Sequence, residues 1–301
     1  MEKNENQQLV QSMLSEITTD QQLLESLKSK IILIKIGGNA LVDEQVKNHI
    51  VEQIVILKSL GAVPVLVHGG GIDIEKLLKE VGVKSTFIGG HRKTDSKTIS
   101  YIEMVLSGSL NKEFVKLFHA YHIEAVGISG KDAGMVKTVK RFHIDSTEHS
   151  HSKNDLGFVG DVSTVNTRLI KLLISNDFLP VISPISIGED GETYNVNADM
   201  FAGTVAGALK ADHFIALSNI DGLLENVDHP DSVYHLLEIQ EVERLMGTVI
   251  RGGMIPKIES CMIAVKNGVN AVHIANGTNR CELLRILVTR DLLGTKIIPN
   301  D

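Results

Sequence analysis

The chain has 301 residues, a net charge of -7 and only 4% aromatic residues. The acidic balance without a basic stripe argues against nucleic acid as a partner, and no apolar run is long enough to span a membrane. The acidic, amide-rich first eight residues are unlike a signal or transit peptide, and Cys261 and Cys281 lack the spacing of a metal site or a disulfide framework. These features predict a cytoplasmic globular protein with reduced thiols.

The first 30 residues predict an amphipathic helical arm, because their apolar residues recur at helical spacing. Asp20 is the predicted cap of its second segment. Strands and helices then alternate as far as residue 128. The predicted strands cover residues 31–36, 63–67 and 124–128, and the predicted helices cover 44–60, 72–81, 96–107 and 110–121. Apolar strands between helices predict a mainly parallel sheet that is covered on both faces.

The middle of the chain changes pattern. Alternating residues at 135–143 and 156–162 predict a hairpin with a polar tip at 145–155. His143, His149 and His151 lie near or in that tip, but polar His-rich loops are usually solvated, so no metal site is predicted there. Further predictions are helix 164–176, strand 179–183, a hairpin around 188–191, helix 198–209, strand 213–217, helix 255–267, strand 271–274 and helix 282–288.

Together these elements predict an α/β protein, a three-layer αβα sandwich around a mainly parallel central sheet. The arm covers residues 1–30, and two lobes of 31–190 and 191–301 meet near residue 190.

Glycine turns follow three predicted strands, at Gly37-Gly38, at Gly69-Gly70-Gly71 and at Gly130. Ligands of parallel sheets bind at the carboxyl ends of the strands, where glycine lets backbone N–H groups approach an anion closely. One such turn is compatible with a tight connection alone, whereas three at one edge favour an anion site. Neither the P-loop signature nor a Gly-x-Gly-x-x-Gly turn after a strand is present, so a nucleotide must be held in another way.

Charged residues sit beside these turns. Lys35 closes the first strand, Asp199 opens an apolar helix, and Lys257 follows a Gly252-Gly253 pair. Two cations, one carboxylate and several glycine turns are the parts that phosphoryl transfer needs. Each has a simpler interpretation when taken singly: Lys35 as a solvated strand end, Asp199 as a helix cap.

Four motifs in register resemble the amino acid kinase family. They are Lys35-Ile36-Gly37-Gly38-Asn39-Ala40, His68-Gly69-Gly70-Gly71, Asn195-Val196-Asn197-Ala198-Asp199 and Gly252-Gly253-Met254-Ile255-Pro256-Lys257. The resemblance runs from about residue 31 to the C-terminus. It implies an αβα sandwich in which the lobe 31–190 binds an acyl amino acid and forms a dimer, while the lobe 191–301 binds ATP.

The resemblance also implies roles for individual residues. Lys35 and Lys257 would neutralise the transferring γ-phosphoryl group, with Asp199 orienting both lysines. Gly38 and Gly70 would donate backbone N–H groups along the phosphoryl path. The acyl amino acid would be bound by Gly70, Gly71, Arg92 and Asn195, with Arg92 on its α-carboxylate. The segments that frame ATP would contribute Asn219, Ile220, Asp221, Gly222, Leu223, Leu224, Gly252, Gly253 and Met254.

The implied reaction moves the γ-phosphoryl group of MgATP to the γ-carboxylate of N-acetyl-L-glutamate in arginine biosynthesis, giving an acyl phosphate and ADP. ATP and Mg²⁺ are therefore the expected cofactors. One alternative is a kinase for a related acyl amino acid, such as carrier-linked aminoadipate or glutamate. Another is a regulatory protein that binds ATP and arginine and has weak catalysis.

Several positions depart from the family pattern. His91 and Lys93 make the flanks of Arg92 more basic, and Asn219 stands where many relatives carry aspartate. Ile286 and Leu292 replace a glutamate and a glycine of arginine-inhibited relatives, although His273 is retained. The arm resembles the helix that joins dimers into hexamers in those relatives. The predicted assembly is therefore a homodimer, or a hexamer in which the arm joins dimers, and arginine inhibition is predicted to be weak or altered.

Overall fold

The computed structural model describes residues 2–41, 43–147, 150–226, 228–229 and 231–300. Its helices are α1 Glu2–Ser15, α2 Gln21–Ser26, α3 Glu44–Ser59, α4 Gly71–Glu80, α5 Ser96–Glu103, α6 Asn111–His119, α7 Arg168–Ser175, α8 Ala198–Leu209, α9 Ile239–Leu245, α10 Met254–Lys266 and α11 Glu282–Val288. Its strands are β1 Ile31–Ile36, β2 Val63–His68, β3 Thr86–Ile88, β4 His91–Lys93, β5 Ala125–Ser129, β6 Val136–Thr147, β7 Ser150–Val165, β8 Leu179–Ser183, β9 Ile185–Gly188, β10 Thr193–Val196, β11 His213–Ser218, β12 Leu236–Glu238, β13 Ala271–Asn276 and β14 Thr295–Ile298. None of the described helices has the length and apolar character needed to cross a bilayer.

The main sheet has eight strands in the order β12-β14-β13-β11-β1-β2-β8-β5. All neighbours pair in parallel except β13 and β14, which are antiparallel. The predicted mainly parallel sheet is thus confirmed. The strand β1 lies between β2 and β11, where the connections leave in opposite directions, so the carboxyl end of β1 marks the topological switch point.

Two apolar layers cover this sheet. Successive side chains of a strand point to opposite faces, and in β1 the side chains Ile32, Ile34 and Ile36 enter a core formed with α3, α6 and α11. Leu33 enters the opposite core, which is formed with α7, α8, α9 and α10. The three-layer αβα sandwich is therefore confirmed.

A second, smaller sheet closes on itself from β6, β7, β9 and β10. The two predicted hairpins are present in it, β6 with β7 and β9 with β10. The strand β10 ends directly before α8, so this small sheet carries Asn195 to the start of that helix. The tip residues 148–149, with His149, lie outside the described residues, so the expectation that the tip holds no metal stays a prediction.

Several predicted boundaries were wrong. The helix predicted at 164–176 begins only at Arg168, because β7 continues to Val165, which pairs with Val136 of β6. The helices predicted at 96–107 and 110–121 are joined by a π-helical turn, Met104–Leu110. The strands β3, β4, β12 and β14 were not predicted, because three or four residues carry too little periodicity. The helix α9 was not predicted either.

The arm consists of α1 and α2, and the predicted cap is confirmed. The Asp20 carboxylate accepts hydrogen bonds from the backbone N–H groups of Gln22 and Leu23. The arm packs on the body of its own chain, where Met13 is buried in the core and Glu16 pairs with Arg280 at 2.7 Å. The division into two lobes near residue 190 stays a prediction, since the eight-stranded sheet contains strands from both sides of that point.

Candidate active site

Lys35 sits where the switch point of the sheet meets the α8–α10 layer. It is two residues after Leu33 in β1 and therefore points to the same face. The residue is 5% exposed, and its ammonium group lies 2.8 Å from Oδ1 of Asp199, at the start of α8. Burial lowers the pKa of Lys35, and the charge of Asp199 opposes that effect.

Lys257 reaches the same carboxylate oxygen from α10. Its Nζ lies 3.3 Å from Oδ1 of Asp199, and the residue is 8% exposed. Burial alone would raise the pKa of Asp199, but the charges of the two lysines outweigh it and hold that pKa below its ordinary value. One ionised carboxylate thus lies between two ammonium groups and offsets their mutual repulsion.

Close packing of α8 against α10 makes this meeting possible. A Cβ atom on Gly203 of α8 would lie 2.3 Å from the carbonyl oxygen of Ser260 in α10, so only glycine permits this approach. Asp199 lies one turn before Gly203, and Lys257 lies one turn before Ser260. The helix contact therefore sets the two charged side chains side by side.

Asn197, rather than Asp199, is the cap of α8. Its Oδ1 accepts hydrogen bonds from the N–H groups of Asp199 at 2.9 Å and Met200 at 3.2 Å. The interpretation of Asp199 as a helix cap is therefore wrong. Its carboxylate is left free to bind the lysines, and it lies in the first turn, where the helix dipole favours negative charge. An asparagine directly before an apolar helix is the sequence signal that identifies this cap.

A cleft of about 250 Å³ opens beside the charged group. The turns after β1 and β2 form one wall, and the end of β10 forms another. Its lining includes seven predicted site residues, Lys35, Gly38, Gly70, Gly71, Arg92, Asn195 and Asp199. Gly70 caps α4, so the positive end of that helix faces the cleft.

Arg92 is held in this cleft by neighbours that the sequence did not reveal. Its Nη1 donates to Oε2 of Glu75 at 2.6 Å and also to the hydroxyl group of Ser85. The guanidinium lies 4.7 Å from the ring centre of Phe87, which pairs with Arg92 across the β3–β4 hairpin. The hydrogen bonds from Arg92 and Ser85 lower the pKa of Glu75. These contacts within the protein orient the guanidinium.

A second cavity, of about 520 Å³, lies at the start of α10. Its lining is mainly apolar and includes Ile220, Gly222, Leu223, Leu224, Val249 and Met254. Met254 is one turn from Lys257, so this cavity lies next to the charged group. An apolar slot beside buried cations suits a ligand with a flat ring at one end and phosphates at the other.

Comparison with known proteins agrees with this geometry. The model of the amino acid kinase family matches residues 30–276. The chain belongs to this family.

Similar members include the acetylglutamate kinase of Caldanaerobacter subterraneus subsp. tengcongensis, 42% identical over 91% of this chain and 89% of its own length. The acetylglutamate kinase of Methanocaldococcus jannaschii is 40% identical over 91% of this chain and 92% of its own length.

Solved structures share the fold. The smu.665 protein of Streptococcus mutans is 30% identical with a TM-score of 0.69, covering 90% of this chain and 99% of that one. The N-acetylglutamate synthase of Neisseria gonorrhoeae, complexed with coenzyme A and N-acetyl-glutamate, has a TM-score of 0.77 at 22% identity, and the match covers 93% of this chain. This chain spans only 62% of that longer protein, so the match bears on the fold alone.

Not every residue predicted for the nucleotide lines the apolar cavity. Ile220, Gly222, Leu223, Leu224 and Met254 do, whereas Asn219, Asp221, Gly252 and Gly253 do not. The Asp221 carboxylate instead accepts hydrogen bonds from Asn276 at 2.7 Å and Asn279 at 3.2 Å. Its side chain therefore stabilises the turn after β13. A contact of Asp221 with the nucleotide remains a prediction.

The three positions compared with arginine-inhibited family members lie together. His273, Ile286 and Leu292 line one cavity of about 320 Å³ between α2 and the α11–β14 segment. Burial lowers the pKa of His273 well below its usual range. At position 286, this cavity has an isoleucine side chain.

Proposed function

We propose that this family member transfers the γ-phosphoryl group of ATP to the γ-carboxylate of N-acetyl-L-glutamate, a step of arginine biosynthesis. The observation that carries the proposal is the contact of Lys35 and Lys257 with one oxygen of Asp199, beside the cleft that holds Arg92. Two fixed ammonium groups suit a transferring group whose charge is spread over several oxygens. The relatives named acetylglutamate kinase, which match 91% of the chain, support the same reaction.

The acceptor needs no general base, because a carboxyl group with an ordinary pKa of about 4.3 is already ionised at neutral pH. The difficulty is to bring two anions together. Lys35 and Lys257 reduce the repulsion by neutralising the transferring group, and the backbone N–H groups of Gly38 and Gly70 donate hydrogen bonds to its oxygens. Asp199 keeps both ammonium groups in position and takes no part in bond making.

ATP fits the two-part site, and it supplies the phosphoryl group. Its adenosine would occupy the apolar cavity lined by Leu223 and Met254, and its phosphates would extend to Lys257 and Lys35. Asp199 is already bound to both lysines, so we propose that Mg²⁺ is held chiefly by the phosphate oxygens and water, which are its preferred ligands in such sites.

An ADP-release assay with and without N-acetyl-L-glutamate tests the function directly. We expect ADP formation from MgATP only when N-acetyl-L-glutamate is present, with a hydroxylamine-trappable acyl phosphate as the second product. Turnover only with glutamate or a carrier-linked aminoadipate would make the protein a kinase for that acceptor. Binding of ATP and arginine without turnover would make it a regulatory protein.

We expect Arg92→Lys to raise KM for N-acetyl-L-glutamate by about 10- to 100-fold, with a smaller change in kcat. A lysine keeps the charge but loses the planar fork that binds a carboxylate with two hydrogen bonds. Steady-state kinetics with the acyl amino acid varied would measure this. Lys93→Ala, which removes an exposed neighbouring charge, is the control, and an equal rise of KM in both variants would contradict the assignment.

We expect L-arginine to inhibit this enzyme only weakly. The cavity that contains His273 has the apolar Ile286 and Leu292 where arginine-inhibited family members carry a glutamate and a glycine, so no carboxylate at position 286 meets the guanidinium. Titration of the purified enzyme with arginine measures the effect, and Ile286→Glu should increase the sensitivity. Strong inhibition of the unmodified enzyme in the micromolar range would show the prediction to be wrong.

We also propose a cytoplasmic homodimer, with a hexamer as the form in which the arm joins dimers. The arm of one chain is already anchored to its own body by the pairs Arg280–Glu16 and Arg290–Asp20. Light scattering of the full-length protein and of a variant without residues 1–30 separates the two assemblies. A full-length protein that stays monomeric would contradict both.

A further inference from the structure

A buried chain of hydrogen bonds connects α6 to the glycine turn after β2. His68, the last residue of β2, is fully buried, and its Nδ1 lies 2.8 Å from the carbonyl oxygen of Gly69. Its Nε2 lies 3.1 Å from Nδ2 of Asn111, the first residue of α6, which is also buried. In the described part of the chain no hydrogen bond joins His68 or Asn111 to Lys35, Lys257 or Asp199, and the mechanism above does not use either residue.

The surroundings of Asn111 determine which way its amide points. Nδ2 lies 3.0 Å from the carbonyl oxygen of Val181 and 3.4 Å from that of Ile128, and these oxygens can only accept. Oδ1 lies 3.3 Å from the ammonium group of Lys112, which can only donate. The atom that faces His68 is therefore the NH₂ group, a donor.

The proton of His68 then has one possible position. Because Asn111 donates to Nε2, that nitrogen must be the acceptor of a neutral ring, and the proton resides on Nδ1. Nδ1–H donates to the Gly69 carbonyl. Burial lowers the pKa of His68 to about 4, so the ring is neutral at the pH values where a kinase of this kind works.

The direction of the Gly69 carbonyl also sets the direction of the next N–H. The Gly69–Gly70 peptide bond is trans, and in a planar trans peptide the C=O and N–H groups point in opposite directions. With its carbonyl drawn toward His68, the Gly69–Gly70 peptide turns the Gly70 N–H away from the ring, and Gly70 itself lines the cleft. Among the described residues this N–H has no hydrogen-bond acceptor.

We propose that His68 is a positioning residue: held by Asn111 as the Nδ1–H tautomer, it fixes the Gly69–Gly70 peptide so that the Gly70 N–H faces the transferring phosphoryl group. Close packing also confines the turn at Gly70. A Cβ atom there would lie 2.6 Å from the side chain of Leu106 and 2.7 Å from that of Leu110. Only the identity of the anion rests on the proposed function, because the tautomer and the peptide direction depend on geometry alone.

Nitrogen NMR of the full-length protein tests the tautomer without reference to activity. In protein labelled with ¹⁵N-histidine, the ring of His68, assigned by its loss in His68→Asn, should show a protonated Nδ1 and an unprotonated Nε2 at pH 7. A proton on Nε2, or a charged ring, would overturn the proposal. A correct tautomer in a protein that shows no kinase activity would leave this inference intact and reject the proposed function.

Kinetics of two conservative variants test the consequence. An asparagine at position 68 can place its amide nitrogen near the position of Nδ1, whereas a glutamine reaches the position of Nε2. We expect His68→Gln to lower kcat by about tenfold, because the Gly70 donor is misdirected but not removed, and His68→Asn to stay within about threefold of the unmodified enzyme. KM for ATP should change less than kcat in both variants.

Phe114→Leu is the matched control. Phe114 is buried and packs on the His68 ring, with 5.6 Å between the ring centroids, but it takes no part in the hydrogen bonds that join Asn111, His68 and Gly69. It should lower the melting temperature with little loss of kcat. If Phe114→Leu reduces kcat as much as His68→Gln at an equal loss of melting temperature, His68 has a structural role only. If the position-68 variants do not fold, the tautomer of His68 in the unmodified protein, measured by nitrogen NMR, decides whether the proposal stands.

Discussion

Replacing Lys35 or Lys257 by alanine should lower kcat by about a thousandfold, with only a modest loss of substrate affinity. Both ammonium groups are buried against Asp199 at the point where the two cavities approach each other. Each would therefore act on charge that develops as the phosphoryl group moves, rather than on the bound substrates at rest. Steady-state kinetics with MgATP and N-acetyl-L-glutamate give kcat and both KM values.

Lys30→Ala provides the control for this loss. Lys30 immediately precedes β1, at the end of the strand opposite to Lys35, and its ammonium group pairs with Asp212 at 2.9 Å. Its removal deletes an ion pair of similar composition far from the carboxyl edge of the sheet, so kcat should be unchanged. A Lys35→Ala or Lys257→Ala enzyme that turns over at the full rate would reject the proposed mechanism.

Asp199→Asn should lower the free energy of unfolding by about 3–5 kcal/mol at pH 7, because it leaves two buried ammonium groups without the carboxylate between them. The Asp199 side chain is 17% exposed, so water can screen the remaining charges only in part. Urea unfolding at constant pH measures the change. Asp212→Asn, which faces the 45% exposed side chain of Lys30, should change the same free energy by less than about 1 kcal/mol.

The stability of Asp199→Asn should rise with pH in the alkaline range. Burial already lowers the pKa of Lys35, and Asp199 opposes that shift, so the pKa falls further when the carboxylate is removed. Between this lowered pKa and the ordinary lysine value of about 10.4, the unfolded chain binds more protons than the folded one, and stability increases with pH. A deficit relative to the unmodified protein that does not shrink between pH 7 and pH 10 would contradict this account.

In the unmodified protein, Asp199 should make the stability depend on pH in the acidic range. The pKa of Asp199 is lowered in the folded state. Its contribution to stability is therefore complete above the ordinary aspartate pKa of about 3.9 and is lost as the pH falls through the folded value. This expectation concerns strongly acidic solution only, so the alkaline behaviour of Asp199→Asn is the more informative measurement.

Local patterns in the chain were sufficient to predict much of this protein. The apolar run of β1, the cap of α2 at Asp20 and the glycine turn at Gly69–Gly71 each depend on residues that are neighbours in the sequence. The same holds for the candidate charged residues, because Lys35 and Asp199 lie beside recognisable glycine or helix-start motifs. Alternating apolar segments also indicated the αβα layers, since each segment must bury its apolar face against another.

Long-range packing decided the rest. The placement of β1 between β2 and β11, the reversed direction of β14 and the close contact of Gly203 with Ser260 join segments that are far apart in the chain. The hydrogen bonds between Arg92 and Glu75 and between Asn111 and His68 have no local sequence signature. A hydrogen bond between distant side chains exists only once the backbone has folded. Residue types and their order thus indicated the chemistry, whereas its geometry came from contacts that no short stretch of sequence contains.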